Sequence, residues 1–341
     1  MSAISKELMT AITNLQDGLD EQFNLVIDPC DNWLKEILSY YHNLGGKRLR
    51  PTLLIASSLD YGIDPQEILP YATALELMHT FSLFHDDVID GAKTRRGAES
   101  IQVKYDIPTA IIGGDIFHSL IHGYISEQAL IGKLNPLNAI KFLNALTLKV
   151  ELPIGSAVLQ ESNLAKSKEI PPYEISLKIN AQKTGPVFAL GAATPALLQN
   201  YSDDKEVLWK FGNTIGLGYQ LLDDLIDVVD FRSGKDIGGD FREKKKTPLF
   251  IKSYLKDPKY ASEFLLQEVV TEKMILNFYT HFHHEIIEIW ESAMGYLNTG
   301  IGHLKQIVHS ISTDHLLSFA NFLMDKAYKI KDAIDNFEIK S

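Results

Sequence analysis

His85-Asp86-Asp87-Val88-Ile89-Asp90 closes a long, mostly apolar stretch, and Asp223-Asp224-Leu225-Ile226-Asp227 repeats the pattern far downstream. On a helix, Asp86 and Asp90 stand one turn apart on one face, as do Asp223 and Asp227. Each pair therefore offers oxygens to a hard cation such as Mg²⁺. A single D-D-x-x-D is commonly a solvated helix end. Here both pairs end an apolar run, 75–84 and 215–222, where the helix macrodipole disfavours carboxylates and solvation is limited. Crowded like charges normally demand a counter-ion, so the economical reading is two metal-binding walls facing one cavity.

The periodicity around these stretches predicts helices almost throughout. Leu8, Ile12, Leu15, Leu19 and Phe23 recur every three to four residues over about 5–26. Trp33, Leu34, Ile37, Leu38 and Tyr41 do so over about 31–42, where Gly45-Gly46 provides a stop. Pro51 suits a first helical position and opens a helix through about Tyr61. Asp64-Pro65 marks the next start, and 68–90 reads as one long helix. Gly91 and Gly97 bracket a basic loop, Pro108 precedes a helical pattern over 110–130, and more helix follows Pro136. The second half repeats the theme at 173–198 and 204–229, before a Gly/Lys-rich loop at 232–246. Gly and Pro fall at junctions and period-two alternation is scarce, so the fold class is all-α. With no flexible linker or low-complexity segment, residues 1–341 are expected to form one helical domain.

Composition narrows the partners. Hydrophobic residues make up 45% and charged residues 23%, values typical of a globular protein. The 33 basic and 44 acidic side chains give a net charge of −11, which argues against nucleic-acid or anionic-membrane binding. The single cysteine, Cys30, excludes an internal disulfide and fits a reducing compartment. No stretch approaches eighteen uninterrupted apolar residues and no signal pattern opens the chain, so the expectation is a cytoplasmic protein without a transmembrane segment.

An anionic ligand must then meet local basic clusters. Gly45-Gly46-Lys47-Arg48-Leu49-Arg50-Pro51 sets three cations beside a turn and a helix N-terminus. Thr94-Arg95-Arg96-Gly97 follows the first acidic cluster, and Ser233-Gly234-Lys235 and Lys244-Lys245-Lys246 follow the second. This pairing of acidic and basic elements suits a ligand with several phosphate charges, bridged by Mg²⁺ on one side and held by Arg or Lys on another. A diphosphate fits.

Together with Gly113-Gly114-Asp115, Lys183-Thr184-Gly185 and Tyr219-Gln220 before the second acidic cluster, these motifs make the chain resemble the trans-isoprenyl diphosphate synthase (polyprenyl synthetase) family over roughly residues 40 to 250. The resemblance implies an isoprenoid-synthase-like helical bundle around a deep cavity, as a homodimer. It implies that Asp86, Asp87 and Asp90 with Asp223, Asp224 and Asp227 form the two aspartate motifs. Asp86, Asp90 and Asp223 would be direct ligands of three Mg²⁺ ions on an allylic diphosphate. Arg95, Lys183, Thr184, Gln220, Lys235 and Lys245 match other contacts to that substrate. Lys47, Arg50, His79 and Arg96 match positions that bind isopentenyl diphosphate. The implied reaction is head-to-tail prenyl transfer onto a dimethylallyl, geranyl or farnesyl primer.

Departures from the family pattern are Tyr219 for Phe, Asp106 and Lys244 for Gly, and the segment Ala98-Glu99-Ser100. Lys244 leaves open whether Lys245 or Lys246 reaches phosphate. Phe81, five residues before Asp86, lies roughly 7 Å deeper along the helix. Phe81 is either an aromatic packed in the core or the floor of the channel. An aromatic there resembles geranylgeranyl diphosphate synthases, so Phe81 is the expected product-length residue, with a C20 product first and C15 second.

His281, His283 and His284 with Glu285 and Glu288 spread over different helical faces, and read as a hydrated surface. His118 and His122 share a face between Phe117 and Tyr124, and read as core hydrogen-bonding residues. Two alternatives carry different features. A class I terpene cyclase would not need the basic site at 45–51, and a regulatory subunit of a heteromeric synthase could dispense with the aspartates.

Overall fold

A computed structural model describes residues 6–229, 238–267 and 269–336, and is almost entirely helical. Helices α1 (Lys6–Ile27), α2 (Asn32–Asn43), α3 (Leu49–Asp60) and α4 (Pro65–Asp90) come first. A two-residue hairpin, Thr94–Arg95 paired with Ala98–Glu99, leads through α5 (Ile101–Lys104) into α6 (Ile107–Leu130). Then come α7 (Pro136–Ala145), a π-helical segment (Leu146–Glu151), α8 (Leu152–Lys166), α9 (Tyr173–Leu198) and α10 (Ser202–Val229). Short helices α11 (Gly239–Arg242), α12 (Pro248–Lys256), α13 (Pro258–Leu266) and α14 (Glu272–His281) precede α15 (His283–Leu304) and α16 (Asp314–Asp335). The all-α expectation is borne out.

Helix starts are fixed by side chains that satisfy free amides. Asp31 accepts from Leu34 N at 2.9 Å and Asp64 from Gln66 N at 2.9 Å. Asp106, the departure noted above, caps α6 by accepting from Thr109 N at 2.7 Å. Pro65 is the first residue of α4, as expected, whereas Pro51 is the third of α3. That earlier start follows because Arg48, at φ 48°, already turns the chain. Gly91 closes α4 in the left-handed region at φ 63°. The basic loop after it is a tight hairpin, with Arg96 and Gly97 both at positive φ (54° and 80°), the signature of a type I′ turn.

α9 and α10 form the central pair, with α10 packed also on α15 and α4 packed on α6. Their backbones nearly touch: a Cβ on Gly212 would lie 2.4 Å from Ala189 Cα, and one on Gly216 2.9 Å from Gly185 Cα. One turn beyond this crossing, Thr184 meets Gln220. The buried core runs through both halves of the chain as one cluster from Leu15 to Ile334.

The arm Pro136–Lys166 contains a window with mean hydropathy 1.3, of which 28% is buried. It is the one described helix long and apolar enough, by length and composition, to cross a membrane. The expectation of no such segment is qualified to that extent.

Candidate active site

The last turns of α4 and α10 end at one cavity of about 370 Å³. Asp86, Asp90, Asp223, Asp224 and Asp227 line it together with Arg50, His79, Arg95, Lys183, Thr184, Gln220 and Lys245. The two acidic walls are joined by one chain of contacts. Lys245 Nζ lies 2.9 Å from Asp90 and 3.8 Å from Asp240, and the Asp240 and Gly239 amides donate to the Asp227 carboxylate at 3.1 and 3.0 Å.

Burial pushes the Asp86 carboxyl up to about 6, with Lys183 opposing and Asp90 adding repulsion. Burial and the Asp240 charge push Asp227 up to about 7, and burial with Asp240 raises Asp224 well above its ordinary range. Burial works against charge on Lys245, yet Asp240, Asp90, Glu243 and Glu161 hold its pKa well above the usual lysine value. Desolvated carboxylates crowded in one cavity are the donor set that a hard divalent cation relieves, so the residues present fit Mg²⁺.

Polar side chains brace the far wall. Thr184 Oγ1 donates to Gln220 Oε1, Gln220 Nε2 donates to Asp224 at 2.9 Å, and Asn180 Nδ2 donates to the same carboxylate at 2.7 Å. Pro186 lacks an N–H, which frees the Gln182 carbonyl beside Lys183 and Thr184. Lys183 Nζ donates to Glu161 at 2.5 Å.

A second corner is basic. His79 is held well below its ordinary range by burial and by Arg50, Arg96, Arg95 and Arg48. The buried Arg50 Nε has no hydrogen-bond partner among the described residues. An unpaired buried guanidinium donor beside a neutral imidazole, with Arg95 lining the same cavity, is a place for a multiply charged anion.

Not every residue singled out from sequence faces the cavity. Asp87 turns the other way, fully buried, and accepts from the Tyr41 hydroxyl and from Arg95 Nε at 2.9 Å. It fixes Arg95 rather than lining the cavity. Arg96 donates to the Tyr41 carbonyl at 2.9 Å and packs on the Gly46 turn, while Lys47 is exposed. Phe81 is half-buried between α4 and α6, edge-on to His85 and His118 at 5.9 and 5.5 Å between ring centroids. The apolar lining comes instead from Met78, Leu83, Ile154, Val158, Val187 and Ile226. Lys246 donates to the Leu164 and Ser167 carbonyls at the end of α8, so of these two lysines it is Lys245 that lines the cavity. Lys235 lies outside the described residues.

Glu161, Asn180, Asp240 and Glu243 were missed. Asn180 was within reach, since it stands one turn before Thr184 on the same face of α9. The other three reach the cavity from an arm and a loop with no periodic signal.

The His281–Glu288 group does not converge on one point: His281 pairs with Asp257 at 3.1 Å and His284 with Glu288 at 3.5 Å.

Residues 31–278 match the polyprenyl synthetase family model. The chain is 31% identical over 248 residues to a geranylgeranyl diphosphate synthase of Sulfolobus acidocaldarius, covering 69% of this chain and 74% of that one. It is 25% identical over 339 residues to a short chain isoprenyl diphosphate synthase of Methanothermobacter thermautotrophicus, covering 94% and 99%. The structure of a geranylgeranyl pyrophosphate synthetase from Geoglobus acetivorans superposes with a TM-score of 0.80 at 25% identity, covering 92% and 99%. With the paired aspartate walls, the basic corner and these matches in agreement, the chain belongs to the polyprenyl synthetase family and is a prenyltransferase.

Proposed function

We propose that this enzyme joins isopentenyl diphosphate to an allylic diphosphate, dimethylallyl, geranyl or farnesyl, and releases a short-chain trans-prenyl diphosphate. The observation that carries this reading is the convergence of two acidic helix ends and a separate basic corner on one cavity. Two diphosphates need two sites of different chemistry, and a cyclase would need one.

Asp86, Asp90 and Asp223 would hold Mg²⁺, three ions with the allylic diphosphate bound. The metal supplies Lewis-acid stabilisation of the departing diphosphate. Lys183, Lys245 and Arg95 add fixed positive charge around that leaving group, and Arg50 and His79 hold the second diphosphate beside it. Thr184 and Gln220, locked to each other and to Asp224, present oxygen dipoles to positive charge developing on the allylic carbon. The isopentenyl double bond attacks that carbon, the C–O bond breaks, and loss of a proton to the departing diphosphate restores an alkene. The apolar residues below the aspartates exclude water from the cation.

The growing chain would extend along α4 toward Phe81, which lies outside the present cavity lining and would act as an aromatic stop on a longer product, with C20 favoured over C15. Names of the relatives support that order, since geranylgeranyl diphosphate synthases recur among them. Residues 1–341 act as one domain, in a cytoplasmic homodimer.

The purified chain alone, given Mg²⁺, labelled isopentenyl diphosphate and each primer in turn, is expected to make a linear prenyl diphosphate. A strict requirement for a second protein would support the regulatory-subunit reading, and a cyclic hydrocarbon the cyclase one.

A further inference from the structure

Away from the aspartates, α6 and the π-helical segment bring together His118, His122 and Glu151, with one ligand atom of each within 4.8 Å of the others. The two imidazoles stand one turn apart on α6. Opposite them, Thr147 and Glu151 are also four residues apart, on the wider turn of the π segment. Such an interruption within a helical arm recurs at functional sites.

The hydrogen bonding already presents lone pairs inward. His122 Nδ1 lies 3.1 Å from the His118 carbonyl, so Nδ1 carries the proton and Nε2 keeps its lone pair. That Nε2 is 3.2 Å from the Thr147 hydroxyl. His118 Nε2 lies 3.2 Å from Glu151 Oε1. The contact is not aligned as a hydrogen bond, and Oε1 is closed off from solvent with no hydrogen-bond partner among the described residues. A solvent-excluded carboxylate oxygen that makes no hydrogen bond is costly, and here it lies at ion-pair distance from His118 Nε2, with a His122 ligand nitrogen within 4.8 Å.

We propose that His118, His122 and Glu151 bind one divalent transition metal of the zinc class, with water in the fourth position. Two neutral imidazoles and one carboxylate are the ligand set of three-coordinate protein sites for Zn²⁺ or Co²⁺, whereas Mg²⁺ prefers oxygen alone. The expected hydrogen-bonding role of the histidines in the core holds for His122 and fails for the Nε2 of His118. The site is separate from the catalytic cavity. A bound ion would tie α6 to the π segment behind Phe81, whose ring packs on His118.

The test is titration of the metal-stripped full-length chain with Co²⁺, read by visible absorption, and repeated with Zn²⁺ as competitor. The site predicts one equivalent of tetrahedral, nitrogen-ligated Co²⁺ per chain, displaced by Zn²⁺. The band survives in the Asp86→Asn/Asp223→Asn double variant, weakens about 100-fold or more in His122→Ala, and weakens at least about tenfold in Glu151→Gln. Should His122→Ala fail to fold, Glu151→Gln, which keeps the side-chain shape, carries the test with helix content as control. Absence of a tetrahedral band, its persistence in both α6 and π-segment variants, or its loss in the aspartate double variant would overturn the proposal.

Discussion

Asp86 is held against its own preference. Its carboxyl is buried beside Asp90 and titrates at about 6, against an ordinary 3.8. Between those values the folded chain binds more protons at this position than the unfolded chain does. Its contribution to stability therefore falls as pH rises through that window, and is least favourable above about 6. Each pKa unit is worth about 1.4 kcal/mol. Asp86→Asn is thus expected to stabilise the metal-free protein by about 1–3 kcal/mol at pH 8, measured by denaturant unfolding, and to flatten its pH dependence between 4 and 6. The same variant loses turnover. A metal-free protein made less stable by Asp86→Asn would show that Lys183 and Lys245 already neutralise the carboxyl. At this scale the sequence was informative where spacing defines a face, as for Asp86 with Asp90. It was silent where orientation depends on a partner from elsewhere, as when Tyr41 and Arg95 turn Asp87 inward.

Helix α4 joins the charged and apolar parts of the reaction. Its C-terminal turn carries the aspartates, and Met78, Ser82 and Leu83 pave the cavity behind them. Phe81 projects to the α6 side, where it packs on His85 and His118. Phe81 does not line the present cavity, and the proposed role as a stop requires a longer product to reach its ring. Phe81→Ala is expected to shift the product distribution by one or more isoprene units, sized by chromatography of the dephosphorylated products. An unchanged distribution would assign the stop to another wall, such as Ile154 and Val158 of α8, which line the cavity. Helix positions were legible because caps and periodicity are local: α9 begins at Tyr173, after Pro171-Pro172, as the pattern predicted. The π segment was not legible, because its own six residues carry neither Gly nor Pro. The short hairpin at 94–99 was hidden for a related reason, since Arg96 takes a backbone conformation that glycine usually supplies.

Over the whole molecule, large apolar side chains remain exposed on α6 and on the arm that runs from α7 to α8. Ile112 is 57% exposed, Ile140 64%, Leu152 60% and Leu159 69%. Exposed apolar side chains on these elements suit an interaction surface, and a second copy of the chain would be its occupant in the homodimer proposed above. Sedimentation at micromolar concentration is expected to give twice the 38.3 kDa chain mass, and Ile112→Glu with Leu152→Glu to give the monomer. A monomeric wild-type chain would contradict that assignment. The overall architecture was open to sequence reasoning because one repeated pattern, an apolar run ended by paired aspartates, fixes two long helices and requires them to end together. What could not be read was the closure between those ends, through Lys245, Asp240 and Glu243, which depends on where α11 and the residues just after it sit.

The central claim is that both acidic helix ends serve one metal-dependent chemistry. It is tested most directly by steady-state turnover of Asp86→Ala and Asp223→Ala under saturating Mg²⁺ and substrates, with helix content followed alongside. Each variant is expected to lose about 10³-fold or more in kcat with helix content unchanged, on the order of 4 kcal/mol of transition-state stabilisation. Activity near that of the wild type in either variant would contradict the account.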